Sequence, residues 1–483
     1  MWECRLAAPI QERCIRVLRF RALVCGLAIL SIAGPACGAT PTASPADRAL
    51  ALDVLRELMA INTAPSGGPG STLRAAEVVA ARLIQGGFPQ EDVTVLGLAP
   101  GDGDLVARYR GRGARKPILL MGHLDVVEAR SEDWSFPPFE LTERDGHLYG
   151  RGVWDNKGGV ALLVASFLRM KRDGYEPDRD LIIVLTADEE TSGANIRWLL
   201  EKHRPLIDAE FALNTDGGAV RLDGDRPIVF AVQSAEKIYA SFRLEVTNPG
   251  GHSSRPRPDN AIYTLAAALE RLRAYEFPIE LNDTTRTFFE RWQPLASPED
   301  RPLVAALASG RPDAPELANL PQHAYFNALA RTTCIPTLLE AGHAENALPN
   351  NARAIVNCRV LPTSTAAEVE SLLNRLVADP EVVISPVDPA YPSPPSPLDP
   401  VLFGALGALA NEFWPGIAIV PEMSTGATDG LFVRNAGIPC YGVWSVAQDP
   451  DDDRTHGRDE RIPTRSFYDG FEFVHRLLLE LSH

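Results

Sequence analysis

A chain of 483 residues with 45% hydrophobic and 23% charged content can bury large cores, which excludes wholesale disorder and suggests two to three domains, or one with an insertion. A formal net charge of −16, with no Lys/Arg-rich run to offset it, excludes a general polyanion binder, so nucleic acid is not an expected partner. In chain order, Arg5, Arg13, Arg16, Arg19 and Arg21 precede an apolar run from Ala22 to Ala33, followed by the small residues Gly34, Ala36, Gly38 and Ala39. That succession is the pattern of a secretory signal peptide over residues 1–39, implying a secreted or periplasmic mature chain, with an uncleaved anchor as the alternative. The run is shorter than the roughly 20 residues of a membrane span, and no other stretch could cross a bilayer. Four cysteines fall in this leader; Cys334, Cys358 and Cys440 remain, without the paired spacing of a thiolate metal site. They are expected as buried free thiols, one disulfide being the alternative.

From about Pro45 to Gln233, helical stretches alternate with short apolar runs. Ala49–Ile61 and Arg74–Gly86 read as helices, Pro117–Val127 as a continuous apolar strand, and Val160–Lys171 as a helix ending at Gly174. Leu181–Thr186 and Phe211–Asn214 read as strands. Strands without polar alternation, separated by helices, predict a mostly parallel sheet covered on both faces. The pattern changes near Glu236. Strands are predicted at Ile238–Thr247, 331–341, 352–360 and Val382–Ser385, with a helix over Asn260–Tyr275 that has Asp259 near its N-terminus. Thr365 and Glu368 form a capping-box signature opening a second helix that runs to Ala378. These elements make a small α+β unit of the βαββαβ kind over 236–388, with an insertion at about 277–330. The Pro-rich segment Pro386–Pro400 then leads into a helix over Val401–Phe413 and strands near Ile417–Val420 and Pro439–Val446. The expected fold class is α/β: a sheet domain in two parts, 45–235 and 389–483, interrupted by the smaller domain.

Five polar fragments fall at or after apolar strands. In Gly122-His123-Leu124-Asp125, strand alternation puts His123 and Asp125 on one face, either as a metal ligand with its supporting carboxylate or as a core His bonded to an Asp. In Gly150–Gly159, Asp155 precedes a helix; it either caps that helix or uses its two oxygens to bridge two cations. Asp188-Glu189-Glu190 follows Leu181–Thr186, where three adjacent acids repel one another unless cations lie nearby; a solvated acidic turn is the plain alternative. Asn214-Thr215-Asp216-Gly217-Gly218 and Thr455-His456-Gly457 complete the set. In open α/β sheets, ligands collect outside the carboxyl ends of strands. Two His and several carboxylates there, without Cys, suit zinc, with cobalt or manganese as substitutes.

These fragments, in this order and with no ligand substituted, resemble the M20 metallopeptidase family, which spans carboxypeptidases, aminoacylases and succinyl-diaminopimelate desuccinylases. The resemblance implies two Zn2+ ions, one held by His123, Asp155 and Asp216 and the other by Asp155, Glu190 and His456, with Asp155 shared and the Asp155–Asn156 peptide cis. It makes Glu189 the general base, Asp125 the partner of His123, and the two-part sheet domain catalytic. The small domain becomes a lid or dimerisation domain. Its Gly250-Gly251-His252-Ser253 run implies that His252 stabilises the oxyanion, often in a partner subunit's site. Asn346, in a segment that departs from the commoner Asn-Val-Ile-Pro, and Arg359 on the following strand are implied substrate contacts, Arg359 reading a carboxylate. Thr425 and Gly426 fall in a loop resembling the family's Gly-Gly-Thr-Asp.

The reaction so implied is hydrolysis of a peptide or N-acyl amino-acid bond by activated water, the partner being a small peptide or N-acyl amino acid. A carboxypeptidase or N-acyl amino-acid hydrolase is the leading reading. An aminopeptidase or dipeptidase on the same metals is the alternative. An inactive binding relative would be expected to have lost Glu189 or a ligand, and neither is lost. Homodimerisation through 236–388 is a further expectation, one the insertion puts in question.

Overall fold

The computed structural model describes residues 42–311 and 313–483, so the expected signal peptide over 1–39, with its four cysteines, lies outside the described residues. Helix α1 (Pro45–Met59) begins at Ser44, whose hydroxyl accepts from the Asp47 N–H, with Pro45 where a missing N–H costs nothing. Helix α2 (Ser71–Gln85), strands β1 (Val93–Leu96) and β2 (Asp104–Tyr109), and strand β3 (Ile118–His123) follow. The predicted strand over Pro117–Val127 therefore stops at His123; Asp125 lies in the loop beyond it, and strand alternation does not relate the two side chains. A hairpin of β4 (Thr142–Arg144) and β5 (His147–Tyr149) leads to α3 (Lys157–Arg172), β6 (Leu181–Thr186), α4 (Ala194–Lys202), α5 (Arg204–Ile207) and β7 (Phe211–Asn214). Strands β8 (Ala219–Asp223) and β9 (Arg226–Glu236), a hairpin absent from the sequence reading, complete this part.

After Lys237, a separate four-stranded sheet forms from β10 (Ile238–Thr247), β12 (Thr333–Ala341), β14 (Asn351–Val360) and β15 (Val382–Pro386), in the order β12-β14-β10-β15. The two-residue β11 (Gly251–His252) and β13 (Ala347–Leu348) pair beside it. Helices α6 (Ala261–Arg273) and α10 (Ala366–Val377) cover one face: Leu265 and Ala268 from α6, and Val369 and Leu373 from α10, join Phe242, Leu244 and Val356 in one apolar cluster. Asn260, rather than Asp259, caps α6, and the Thr365–Glu368 capping box at α10 has both of its hydrogen bonds.

The insertion folds as α7 (Asp283–Trp292), α8 (Arg301–Ala308) and α9 (Ala324–Ala330), and packs away from the small sheet. Phe288, Phe289, Val304 and Leu329 share a core with Val229, Ala235, Val420 and Met423 of the large sheet. The chain then returns through α11 (Pro400–Phe413), β16 (Ala418–Ser424), α12 (Gly430–Asn435), β17 (Cys440–Gly442), β18 (Ala447–Gln448), β19 (Arg461–Pro463) and α13 (Thr464–Leu481).

The large sheet runs β1-β2-β6-β3-β7-β17-β9-β8-β18, with β16 on β9. It is parallel at its centre, β6-β3-β7-β17, while β1-β2-β6 and β17-β9-β8 pair antiparallel. The sheet is thus mixed, wider and less uniformly parallel than the apolar runs imply. Every residue of β3 and β6 is buried, and alternate side chains serve two cores. Ile118 and Leu120 face α1, α3 and α13; Leu119 and Met121 face α4 and α12.

Cys334 and Cys358 are register partners on β12 and β14 and form a disulfide, correcting the expectation of three free thiols. They are 24 residues apart in sequence, and only the strand pairing makes them neighbours. Cys440 is free and buried. Among the described residues, no helix is long and apolar enough to cross a membrane.

Candidate metal centre and active site

The carboxyl ends of β3, β6 and β7 point to one edge, where β3 ends on His123 and the loops after β6 and β7 supply Glu189, Glu190 and Asp216. His123 Nδ1 lies 3.0 Å from the Asp125 carbonyl oxygen, which can only accept, so Nδ1 carries a proton and Nε2 is the nitrogen that faces inward. Nε2 is 2.9 Å from Asp155 Oδ1, and the other oxygen, Oδ2, is 3.0 Å from His456 Nε2. His456 Nε2 is also 3.1 Å from Glu190 Oε2. Asp155 therefore faces one imidazole with each oxygen, and Asn156, not Asp155, stands at the start of α3. The Asp155–Asn156 peptide is cis.

Two triads, His123-Asp155-Asp216 and Asp155-Glu190-His456, each present ligand atoms within 4.8 Å of one another and share Asp155; a third grouping joins His123 to Glu189 and Glu190. Burial and the neighbouring Asp155 push the Asp216 carboxyl well above the ordinary range, and burial with Asp216 does the same to Glu189. Burial opposes the charged form of Asp155, yet the two imidazoles hold it well below the usual carboxylate range. Hydrogen bonds to Asp155 and Glu190 push His456 up to about 10. Without cations these groups can share the pocket only by taking up protons. Imidazole nitrogens and carboxylate oxygens, with no thiolate, fit the zinc-type ions the sequence implies.

The three consecutive acids divide their work. Asp188 accepts from the Ser192 hydroxyl and from the N–H groups of Ala194 and Asn195, fixing the entry to α4. Glu189 and Glu190 have their own N–H groups bound by the Asp125 carboxylate at 3.2 and 3.0 Å. That carboxylate lies 3.5 Å from His123 Nδ1, so it orients the acidic turn more closely than the imidazole.

Two buried acids, absent from the sequence reading, stand beside these groups. Glu460 accepts from the N–H groups of Gly152, Trp154 and Asp155 and pairs with Arg151, whose Nη2 donates to the Gly457 carbonyl; together they tie the Asp155 loop to the His456 loop. Asp429 accepts from the Thr186 hydroxyl at 2.6 Å, and burial pushes its carboxyl up to about 7. An acid three residues beyond the His456-Gly457 pair, and one next to the Thr428 hydroxyl, were visible, but nothing local marked them as buried. Gly159 allows a close approach: a Cβ there would lie 2.4 Å from Thr215 Oγ1, which donates to Asn156 Oδ1.

A cavity of about 440 Å³ opens beside Glu189 and is lined by Arg197, Tyr239, Tyr391, Asp429 and Phe432 among others. A second, of about 500 Å³, reaches Asp125 and Glu190. Larger hollows of about 900 and 910 Å³, beside Trp414 and Arg461 and between α1 and α2, hold none of these carboxylates. Thr425 and Gly426 sit in the turn after β16, and the next residues, Ala427 and Thr428, line the first cavity. Arg359 stacks on the Tyr239 ring at 4.6 Å and is not itself part of the lining. His252 and Asn346 are brought to each other: His252 pairs with Ala347 across β11–β13, and the Ser253 N–H donates to the Asn346 carbonyl. Both are exposed, and among the described residues no hydrogen bond or ion pair joins them to the metal ligands.

Residues 119–480 match the family model described as Peptidase family M20/M25/M40. The chain is 32% identical over 378 residues to the human N-fatty-acyl-amino acid synthase/hydrolase PM20D1, covering 75% of this chain and 74% of that protein. It is 28% identical over 398 residues to the probable carboxypeptidase S-like 2 of Dictyostelium discoideum, covering 77% and 73%. In fold it is similar to the M20 family metallo-carboxypeptidase Sso-CP2 from Sulfolobus solfataricus, with a TM-score of 0.68 at 17% identity, covering 89% of this chain and 98% of that one. Human carnosine dipeptidase 1 aligns with a TM-score of 0.67 at 16% identity, covering 92% and 100%.

Proposed function

The chain belongs to peptidase family M20/M25/M40 and is a hydrolase of that family, and on this premise we propose that it cleaves the amide bond joining an acyl or peptidyl group to a C-terminal amino acid. This covers both a carboxypeptidase and an N-acyl amino-acid hydrolase, and it is supported by the relative named as an N-fatty-acyl-amino acid synthase/hydrolase. The observation that carries it is the shared Asp155 between two imidazoles, with the half-buried Glu189 alongside.

His123, Asp155, Asp216, Glu190 and His456 would hold two Zn2+ ions, with Co2+ or Mn2+ as substitutes. When bound, such a pair supplies Lewis-acid polarisation and a more acidic water. Glu189 takes the proton from the attacking water and returns it to the departing nitrogen. Its burial beside Asp216 supports that role, because both raise its affinity for the proton it must carry. Asp125 keeps Glu189 and Glu190 in register through their N–H groups. Asn346, Thr425, Gly426 and Arg359 are assigned to substrate contacts, and His252 to the oxyanion. The exposure of His252 fits a role in a second subunit's site, reached by pairing through 236–388, and sedimentation would test that pairing. Export directed by residues 1–39 is part of the proposal, and cell fractionation would test it.

The deciding experiment is an activity screen of the metal-loaded protein over N-blocked and C-blocked dipeptides and N-acyl amino acids, with Glu189→Gln as control. Glu189→Gln should retain near wild-type metal content while turnover falls by roughly 10²–10⁴-fold. Full turnover in that variant would refute the assigned base. Preference for C-blocked over N-blocked dipeptides would favour an aminopeptidase instead.

A further inference from the structure

Arg197, one turn into α4, lines the cavity that holds Glu189. Its Nε donates to the Gly193 carbonyl at 3.2 Å, and one terminal nitrogen donates to the Tyr391 hydroxyl. The guanidinium lies 4.9 Å from the Tyr391 ring centroid and 5.3 Å from that of Phe432. Stacking on two rings holds the plane of the fork in place before any ligand arrives. Arg197 forms no ion pair among the described residues, although the chain carries 63 acids against 47 bases. The carboxylates that share the cavity with it (Glu189, Asp388 and Asp429) make no ion pair with it either. Its outer nitrogen, Nη2, has no hydrogen-bond partner in the described structure.

We propose that Arg197 is a specificity-determining residue that binds the free carboxylate of the substrate's amino-acid half, while Tyr239, Tyr391, Leu431 and Phe432 receive an apolar side chain on that residue. This rests on the proposed amidohydrolase reading and adds to it the end of the substrate that enters this cavity. A planar guanidinium recognises a carboxylate through paired N–H donors, and here the aromatic walls keep it partly dry, which strengthens the contact. Arg359, held behind Tyr239 and outside the lining, is the rival reader.

The test uses zinc-loaded full-length protein carrying Glu189→Gln, so that binding is measured without turnover. It is titrated calorimetrically with N-acetyl-L-leucine and N-acetyl-L-phenylalanine and with their C-terminal amides. Adding Arg197→Gln should weaken both acids by roughly 10- to 100-fold, the usual range for a hydrogen bond to a charged group, and leave the amides within about threefold. Arg197→Lys should recover part of the loss. Tyr391→Phe, which removes only the hydroxyl, should change the acid-to-amide ratio little. Equal weakening of acids and amides, the same loss from Tyr391→Phe, no binding of either class, or discrimination that vanishes only with Arg359→Gln would each overturn the assignment. The two readings fail separately. Acid-selective binding that depends on Arg197, with no hydrolysis by the wild-type enzyme, would refute the catalytic proposal alone. Brisk hydrolysis with unchanged selectivity in Arg197→Gln would refute only this one.

Discussion

Glu460 is the residue whose removal should cost most for the least change in shape. Its side chain is 1% exposed and its partner Arg151 is 2% exposed. Oε1 accepts from the N–H groups of Gly152, Trp154 and Asp155 at 3.1, 2.8 and 3.2 Å, while the second oxygen pairs with Arg151. In Glu460→Gln, the amide carbonyl can keep the backbone contacts, but as neutral acceptors of about half the strength. The amide NH2 then points donors at a guanidinium. Arg151 keeps only the Gly457 carbonyl and its stacking on Trp134 at 5.2 Å, leaving a buried charge without a counter-ion. Breaking a buried pair from one side costs about 3–5 kcal/mol. Burial pushes the Glu460 carboxyl up to about 7 against the pull of Arg151; because that lies above the unfolded value, ionisation costs the wild type stability as pH rises toward 7, so the gap to the neutral Gln variant should narrow with rising pH. Urea unfolding between about pH 5.5 and 8.5 should show that loss, larger at the acid end. Metal competition should show roughly 10- to 100-fold weaker binding, because a weaker, neutral acceptor then anchors the Asp155 N–H and the Arg151 tie to the His456 loop is disturbed. A variant within about 1 kcal/mol of wild type, with unchanged metal affinity, would refute the claim that this pair holds the two ligand loops together.

Other consequences are open to measurement. His475 on α13 is 4% exposed with an unpartnered Nδ1; burial, with Arg169 adding, pushes it down to about 4. Because its folded pKa lies below the unfolded value of about 6.5, protonation favours unfolding, and about 3 kcal/mol should be lost as pH falls from 6.5 toward 4. His475→Leu should flatten that part of the wild-type acid limb by one proton's slope; an unchanged slope would show the group is not responsible. The insertion is built into the large sheet's core, so Phe288→Ala, at 0% exposure, should destabilise by about 3–5 kcal/mol, and a neutral result in urea would mean that the insertion docks loosely. Replacing Cys334 and Cys358 together by Ala should cost about 3.5 kcal/mol, the loop-closure value for a separation of 24 residues, against a clearly smaller loss if the thiols are free in solution.

The candidate ligands were legible because each chemical group sits in a short run beside a strand whose apolar continuity was itself visible. Leu181–Thr186 and Phe211–Asn214 needed no tertiary information, since a strand buried on both faces must be apolar throughout. Such local signals marked the fragments carrying His123, Asp155, Glu189, Glu190, Asp216 and His456 as candidates, their roles coming from the family resemblance, and they placed the capping box at Thr365. What the sequence could not carry was anything that depends on distant segments meeting. Strands β8 and β9 are polar enough at one end to read as loop, and their place beside β17 and β16 comes only from pairing. Cys334 and Cys358 became partners through a strand register, and Asp125, in the loop after β3, meets the acidic turn as well as lying 3.5 Å from the imidazole. Burial of Glu460, and the aromatic walls around Arg197, likewise exist only once separate loops close over them. Residue chemistry is inherited from the sequence one position at a time, whereas charge compensation, exposure and cavity shape are properties of neighbours, and only the folded chain chooses those.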